Sequence, residues 1–339
     1  MANPSKVRLS DIAEKLNVSI VTVSKAIADK EGVSEELRKK IKEVAQELGY
    51  KQKAQLLGYR RENSTGNIGI VIPSHFFERS TSFYWIMYNA LSKELLANGY
   101  YGIMEQLSTK DEFDLVIPRV VQDKKVDGLI MLGQLSLDYA HFFTKHYENF
   151  VFLDFYINDL ASDSITTDNF YNEYLMTQYL ISQGHRKIRY VGNFNATSSI
   201  ADRFMGFMKA MLENGLHVSF DEIIPDRNAK GLYEPIKLPE DMPTAFVCNC
   251  DETAAKLIAV LKEHNLQVPK DVSVVGFDDF LADGRAVNPP ITTVAVDSAA
   301  LARVAVETLI KKINKQPYTE GHTVISGKLL IRDSVQRIQ

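Results

Sequence analysis

The sequence predicts a small all-α head carrying a helix-turn-helix, followed by an α/β body of two doubly wound parallel-sheet lobes. Three observations predict it. Charge is divided unevenly: residues 1–63 hold 13 Lys and Arg against 9 Asp and Glu, and the rest of the chain holds 26 against 34. Apolar residues recur at helical spacing through the first fifty positions. From Asn67 the pattern changes to short β-branched runs alternating with helical stretches.

The totals bound the reading. A chain of 339 residues can bury more than one core, and 45% hydrophobic with 24% charged residues is the balance of an ordinary globular protein. That balance excludes a disordered chain, a collagen-like repeat and a disulfide scaffold. No apolar run approaches the roughly 18 residues of a membrane helix, and residues 1–20 contain no apolar core of a secretory leader. The two cysteines, Cys248 and Cys250, are one residue apart and cannot staple a fold. A reducing, cytoplasmic location is expected.

In the head, Ser10 is a candidate cap for a helix starting at Asp11, with Leu9, Ile12, Ala13 and Leu16 on one face. The Asn17-Val18-Ser19 step breaks that helix, since Asn tolerates the left-handed conformation of a sharp turn. Ser19 then caps a second helix running through Ile20, Val21, Thr22, Val23, Ser24 and Lys25. Ala13 is small where the two helices would cross, and Val18 and Val23 would seal them. A third helix follows Ser34, with Leu37, Ile41, Val44, Ala45 and Leu48 on one face and Gly49 as its stop. A positive head on a negative body fits contact with a polyanion, here DNA. In a helix-turn-helix the second helix enters the major groove, its first residues at base edges. Those residues are Ile20, Val21, Thr22 and Lys25; Lys25 suits guanine acceptors, and Ile20 and Val21 suit thymine methyls. Ser10, Ser19, Thr22 and Ser24 are candidate phosphate contacts.

The run VRLSDIAEKLNVSIVTVSKAI followed by VSEELRKKIKEVAQELGY resembles the DNA-binding head of LacI/GalR transcriptional regulators. The resemblance implies that Ile20, Val21 and Lys25 read the operator. It also implies a hinge helix after the head, with an apolar residue wedged into the minor groove. The linker departs from that pattern. Gln52 and Lys53 replace the family's Pro-Asn pair, and Leu56 replaces its alanine. The apolar candidates for the wedge are Leu56, Leu57 and Tyr59, and a plain flexible linker also fits this stretch.

In the body, strands are expected at 68–72, 101–105, 127–132, 150–155, 164–167, 188–192, 245–248 and 273–277. Helices are expected at 86–97, 111–122, 138–146, 172–182, 200–213 and 252–264. Later elements are expected at 291–294, 297–313 and 327–331. Repeated alternation implies parallel sheets covered on both faces, with ligands at the C-terminal ends of strands. Ser74 and its neighbour His75, Asp154, Asn193, Asp278 and Asp279 follow strand runs, and Arg203 lies early in a helix. Carboxylates and arginine beside aromatic faces are the chemistry of carbohydrate capture.

The resemblance extends over the body. GHRKIRYVG, RFMGFMKAM, CDETAAKLI, VSVVGFDDF and PPITTV are similar to the effector core of the same family, itself related to periplasmic sugar-binding proteins. It implies that Asp154, Arg203, Asp278, Phe83 and Tyr84 contact a small carbohydrate-like effector. Cys250 stands where the family usually has asparagine. The domains expected are a head (1–50), a hinge (51–66), lobe 1 (67–163 and 292–320) and lobe 2 (164–291 and 321–339). The whole is expected to be a homodimeric regulator, a repressor that binds operator DNA. No coiled-coil tail follows Arg332, so no tetramer through one is expected. No H-E-x-x-H, G-x-S-x-G, Walker or G-x-G-x-x-G motif is present, and Cys248-x-Cys250 is too short for a zinc knuckle. Neither an enzyme, a cofactor nor a metal site is expected. The rival reading is a sugar-binding protein without a DNA function, against which the attached head argues.

Overall fold

The computed structural model describes residues 9–27, 32–48, 64–77, 83–229, 231–280 and 287–338. Leu56, Leu57 and Tyr59, with the stop Gly49, lie outside them. The head and the body are separate units.

Three helices build the head: α1 (Leu9–Leu16), α2 (Ile20–Ile27) and α3 (Glu35–Glu47). Asn17 ends α1 with φ of 51°, and the Val18 amide donates back to the Ala13 carbonyl at 3.0 Å. A left-handed residue just past a helix satisfies carbonyls that the helix itself leaves open. Ser19 caps α2, its Oγ accepting from the Thr22 amide at 3.0 Å. Ser10 does not cap α1. The helix already includes Leu9, so Ser10 has helical backbone, and its hydroxyl donates to Asp11 instead. Ile12, Ala13, Val23, Ala26 and Ile41 form the core where the three helices meet. At the far end of α2, Arg38 of α3 donates to the Lys25 and Ala26 carbonyls. It thereby satisfies groups that a helix C-terminus leaves without intrahelical partners.

The body begins with β1 (Asn67–Pro73), α4 (Phe83–Ala97) and β2 (Tyr101–Leu107). Two short helices follow, α5 (Thr109–Phe113) and α6 (Arg119–Gln122), then β3 (Gly128–Leu132), α7 (Leu137–His146), β4 (Phe150–Leu153) and β5 (Ser164–Thr167). Next come α8 (Asn169–Ser182), β6 (Ile188–Val191), α9 (Ser198–Glu213), β7 (Ala245–Cys248), α10 (Asp251–Glu263) and β8 (Ser273–Val275). The chain closes with β9 (Thr293–Ala295), α11 (Ser298–Ile313), β10 (His322–Ile325) and β11 (Lys328–Leu330).

Six strands form the first sheet in the order β10-β5-β4-β3-β1-β2, with every neighbouring pair parallel. Successive side chains of β1 alternate between its faces. Ile68, Ile70 and Ile72 meet α4 and α11 on one side, and Val71 joins α7 on the other. The second lobe has a parallel sheet β6-β7-β8. It continues through bridges Val275–Thr292 and Asp278–Ala295 to β9, which pairs antiparallel with β11. Helices α8 and α9 pack closely, because a Cβ at Gly206 would stand 2.2 Å from the Phe170 carbonyl.

Three expectations are corrected. Strand β5 pairs with β4, and β10 pairs with β5, so 164–167 and 322–325 belong to the first sheet rather than the second lobe. Residues 292–295 stay with the second lobe, and the chain returns to the first lobe with α11, which packs on β3, β4 and β5. Periodicity marks a strand but not the sheet whose edge it joins. The single helix expected at 111–122 is broken into α5 and α6 by Leu115, at φ of 54°, and by Pro118, which has no N–H to continue a helix.

Candidate functional site

A cavity of about 320 Å³ opens at the C-terminal ends of both sheets. The first lobe supplies His75 and Phe76 from the turn after β1, Phe83 and Tyr84 from the first turn of α4, Gln134 after β3, and Asp154 after β4. The second lobe supplies Thr197, Ser199, Ile200 and Arg203 at the start of α9, Asn249 and Cys250 at the end of β7, and Glu252 on α10. Arg227, Leu232 and Tyr233 come from the irregular stretch before β7, and Asp278 and Phe280 from beyond β8. Six of the expected residues therefore converge: Phe83, Tyr84, Asp154, Arg203, Cys250 and Asp278. Ser74 does not; its neighbour His75 faces the cavity. Asn193 and Asp279 also lie off the lining. Asn193 donates to the Arg227 carbonyl, and Asp279 is paired with Arg332 at 2.7 Å.

Strand ends place the two central carboxylates, and the backbone is strained to do so. Asp154 has φ of 70° and Asp278 φ of 101°. Non-glycine residues held there cost on the order of 1–3 kcal/mol each and cluster at functional sites. Arg203 lies between them and is 5% exposed. Its Nε donates to Asn169 Oδ1 at 2.8 Å, its Nη1 to the Asn249 carbonyl at 2.5 Å, and its guanidinium stacks 3.8 Å from the Phe277 ring centre. Nη2 lies 3.0 Å from Asp278 Oδ1, a charge contact rather than an aligned hydrogen bond. Tyr84 donates its hydroxyl to Asp154 Oδ2 at 3.1 Å. Burial pushes the Asp154 carboxyl up to about 7, with Arg203 opposing and Asp278 reinforcing the shift. Asp278 is raised by burial to about 6, opposed by Arg203 and Arg227.

A second polar cluster closes the far wall. Arg227 binds Asp226 through Nε and Nη2, and Nη2 also reaches Tyr233, Asn249 and Thr253. Burial raises the Asp226 carboxyl, but Arg227 and the hydrogen bonds from Thr253 and Asn249 outweigh it and hold the group below its ordinary value. Asn249 does not substitute for the asparagine that the neighbouring position lacks. Its Nδ2 is spent on the Val191 carbonyl and Asp226, and its Oδ1 accepts from Arg227. Cys250 is buried, with Sγ 3.3 Å from Thr253 Oγ1, and burial pushes its thiol up. It presents a soft neutral surface where an amide would offer both a donor and an acceptor.

Beneath the floor, Asn169, Glu173 and Thr177 repeat every fourth residue along one buried face of α8. Both Glu173 oxygens, Asn169 Nδ2 and Thr177 Oγ1 have no hydrogen-bond partner among the described residues. Burial raises the Glu173 carboxyl to about 8, with Arg203 opposing.

In the head, Ile20 and Val21 are 52% and 63% exposed at the start of α2, and Ser24 and Lys25 are also exposed. Neither of these large β-branched side chains belongs to the head's core cluster. The hydroxyls of Ser19 and Thr22 bond each other at 2.8 Å. Among the described residues, no group of three or more His, Cys, Asp and Glu is placed to hold a metal ion, and no helix is long and apolar enough to cross a membrane.

A helix-turn-helix head joined in one chain to a two-lobed body with a polar cavity at its strand ends defines a class of DNA-binding transcriptional regulators. Residues 8–53 match the family model of bacterial regulatory proteins, lacI family, and residues 177–335 match a periplasmic binding protein-like domain. The chain is 32% identical over 337 residues to the HTH-type transcriptional regulator RegA of Clostridium saccharobutylicum, covering 96% of this chain and 98% of that one. It belongs to the LacI family. Two solved structures share the fold. A complex of the regulator CelR with cellobiose has a TM-score of 0.68 at 20% identity, covering 97% of this chain and 99% of that one. The lac repressor dimer bound to operator and the anti-inducer ONPF has a TM-score of 0.67 at 22% identity, covering 98% and 100%.

Proposed function

We propose that this regulator is a cytoplasmic homodimer that represses transcription from an operator and is controlled by a small carbohydrate-like effector held in the cavity. The observation that carries the reading is the convergence of Asp154, Arg203 and Asp278 with the ring wall of Phe76, Phe83 and Tyr84. Carboxylates and a guanidinium pair with vicinal hydroxyls, and ring faces cover the C–H surface of a sugar. The cellobiose held by CelR supports this choice of ligand class, and the operator on the lac repressor dimer supports the DNA partner and the paired heads. Ile20, Val21 and Lys25 read bases, while Ser10, Ser19, Thr22 and Ser24 meet phosphates. Leu56, Leu57 and Tyr59 are the hinge candidates. The role is binding rather than catalysis.

Control follows from connectivity. The chain passes between the lobes three times, after β5, after β9 and after β10. An effector that bridges the lobes prefers one degree of closure and shifts the population by its differential affinity. Operator and effector affinities then change each other by the same factor. The test is anisotropy of labelled genomic fragments with the full-length protein at several salt concentrations, with and without sugars. Binding to an unrelated duplex as tight as to any genomic fragment would overturn the reading.

A further inference from the structure

Among the described residues, the charged groups of the cavity are unevenly paired, and the unevenness points to a class of effector. Among the described residues, the two cavity arginines and the lysine behind them each already face a carboxylate. Arg203 lies 3.0 Å from Asp278, Arg227 2.8 Å from Asp226, and Lys256 3.0 Å from Glu252. Among the described residues no cation stands within ion-pair distance of Asp154; Arg203 acts on it from farther away and is already paired with Asp278. Its hydrogen bond comes from the neutral Tyr84 hydroxyl, and it is 8% exposed on the cavity wall. Beside it the rings form a continuous face. Phe76 lies 4.4 Å from Tyr84 and 4.1 Å from His75, and Phe83 meets Tyr84 edge-on at 5.5 Å.

We propose that the effector is an amino sugar, its ammonium seated on Asp154 against the Tyr84 and Phe76 rings and its hydroxyls shared among Asp278, Arg203 and Gln134. This rests on reading the cavity as the effector site. An ammonium gives Asp154 a directly paired cation and gains from the negative face of the adjoining rings. An anionic ligand is disfavoured, because both guanidiniums are already neutralised and it would stand beside Asp154 and Asp278. The groups facing Asp154 are Tyr84 on α4, Arg203 on α9 and Asp278 beyond β8, with His75 on the same wall. Burial raises its carboxyl to about 7 against the opposing charge of Arg203, and a cation seated on it favours the ionised form.

The test is calorimetric titration of the full-length protein at pH 7 with glucosamine, galactosamine and mannosamine. The controls are their neutral parent hexoses, their N-acetyl derivatives, cellobiose and the corresponding diamino disaccharide. At least one amine is expected to bind tenfold or more tightly than both its parent and its N-acetyl form. Asp154→Asn should erase that preference, while Tyr84→Phe should keep it, since the charge remains. Equal or tighter binding of a neutral sugar overturns the amine and leaves the carbohydrate reading standing. Binding of none of these ligands overturns both. Circular dichroism of the Asn variant separates lost preference from lost fold.

Discussion

Arg203 and Asp278 form an ion pair at 3.0 Å on the floor of the cavity, both less than one-tenth exposed. Removing one member of such a pair leaves the other charge buried alone and costs about 3–5 kcal/mol. Arg203→Ala should therefore abolish the effector response and also lower the thermal stability of the body. The head is a separate unit and should keep its operator affinity. Pairing it with Asp278→Asn should restore much of the stability but none of the response. A single variant that melts like the parent and still responds removes Arg203 from the site.

Lys25 is exposed on α2, one turn beyond Val21. Lys25→Ala should relax specificity at one base pair by about 1–3 kcal/mol, the worth of one good contact to a base edge. The measurement is a comparison of affinities across operator variants changed one pair at a time. An equal loss at every sequence would make Lys25 a phosphate contact.

Ser19 holds the start of the same helix through its bond to the Thr22 amide. Ser19→Ala should destabilise the head by about 1 kcal/mol. Ser19→Asp should recover most of that, since aspartate also caps, while its charge weakens DNA binding at low salt. Thermal melting and anisotropy separate the two effects. An alanine variant with unchanged melting would show that the cap contributes nothing.

The expected fold emerged element by element wherever an apolar run had a clear stop. β7 occupies the expected residues 245–248, and α11 starts one residue later than expected, with Asp297 as its cap accepting from the Ala300 amide. Which sheet β5 and β10 join was not legible, because four-residue strands carry the same pattern in either lobe. The central carboxylates were legible because they follow strand runs. Arg227 and Tyr233 were not, since they lie in a stretch with neither period. The expectation falls on Ser74 while His75 lines the cavity, because strand-end position does not say which way a side chain turns. Glu173 gave no signal at all: a carboxylate on a helix is ordinarily solvated, and only packing shows it buried.

Glu173 makes a prediction about pH. Its folded carboxyl is raised by burial to about 8 from an ordinary value of 4.5. Between those values the unfolded chain has lost a proton that the folded one keeps, so the unfolded state binds fewer protons and stability falls as pH rises. Below about 4.5 the group is neutral in both states and contributes no slope. Asp154 and Asp278 are raised in the same sense, to about 7 and about 6, and add to the decline over the lower part of the window. Glu173→Gln removes the titration while keeping size and shape. It should raise the melting temperature at pH 8, by the equivalent of a few kcal/mol at most, and change it little at pH 5. Melting curves of the body across that range check it. If the decline from pH 5 to 8 is as steep in the Gln variant as in the parent, the carboxyl is not held neutral in the fold.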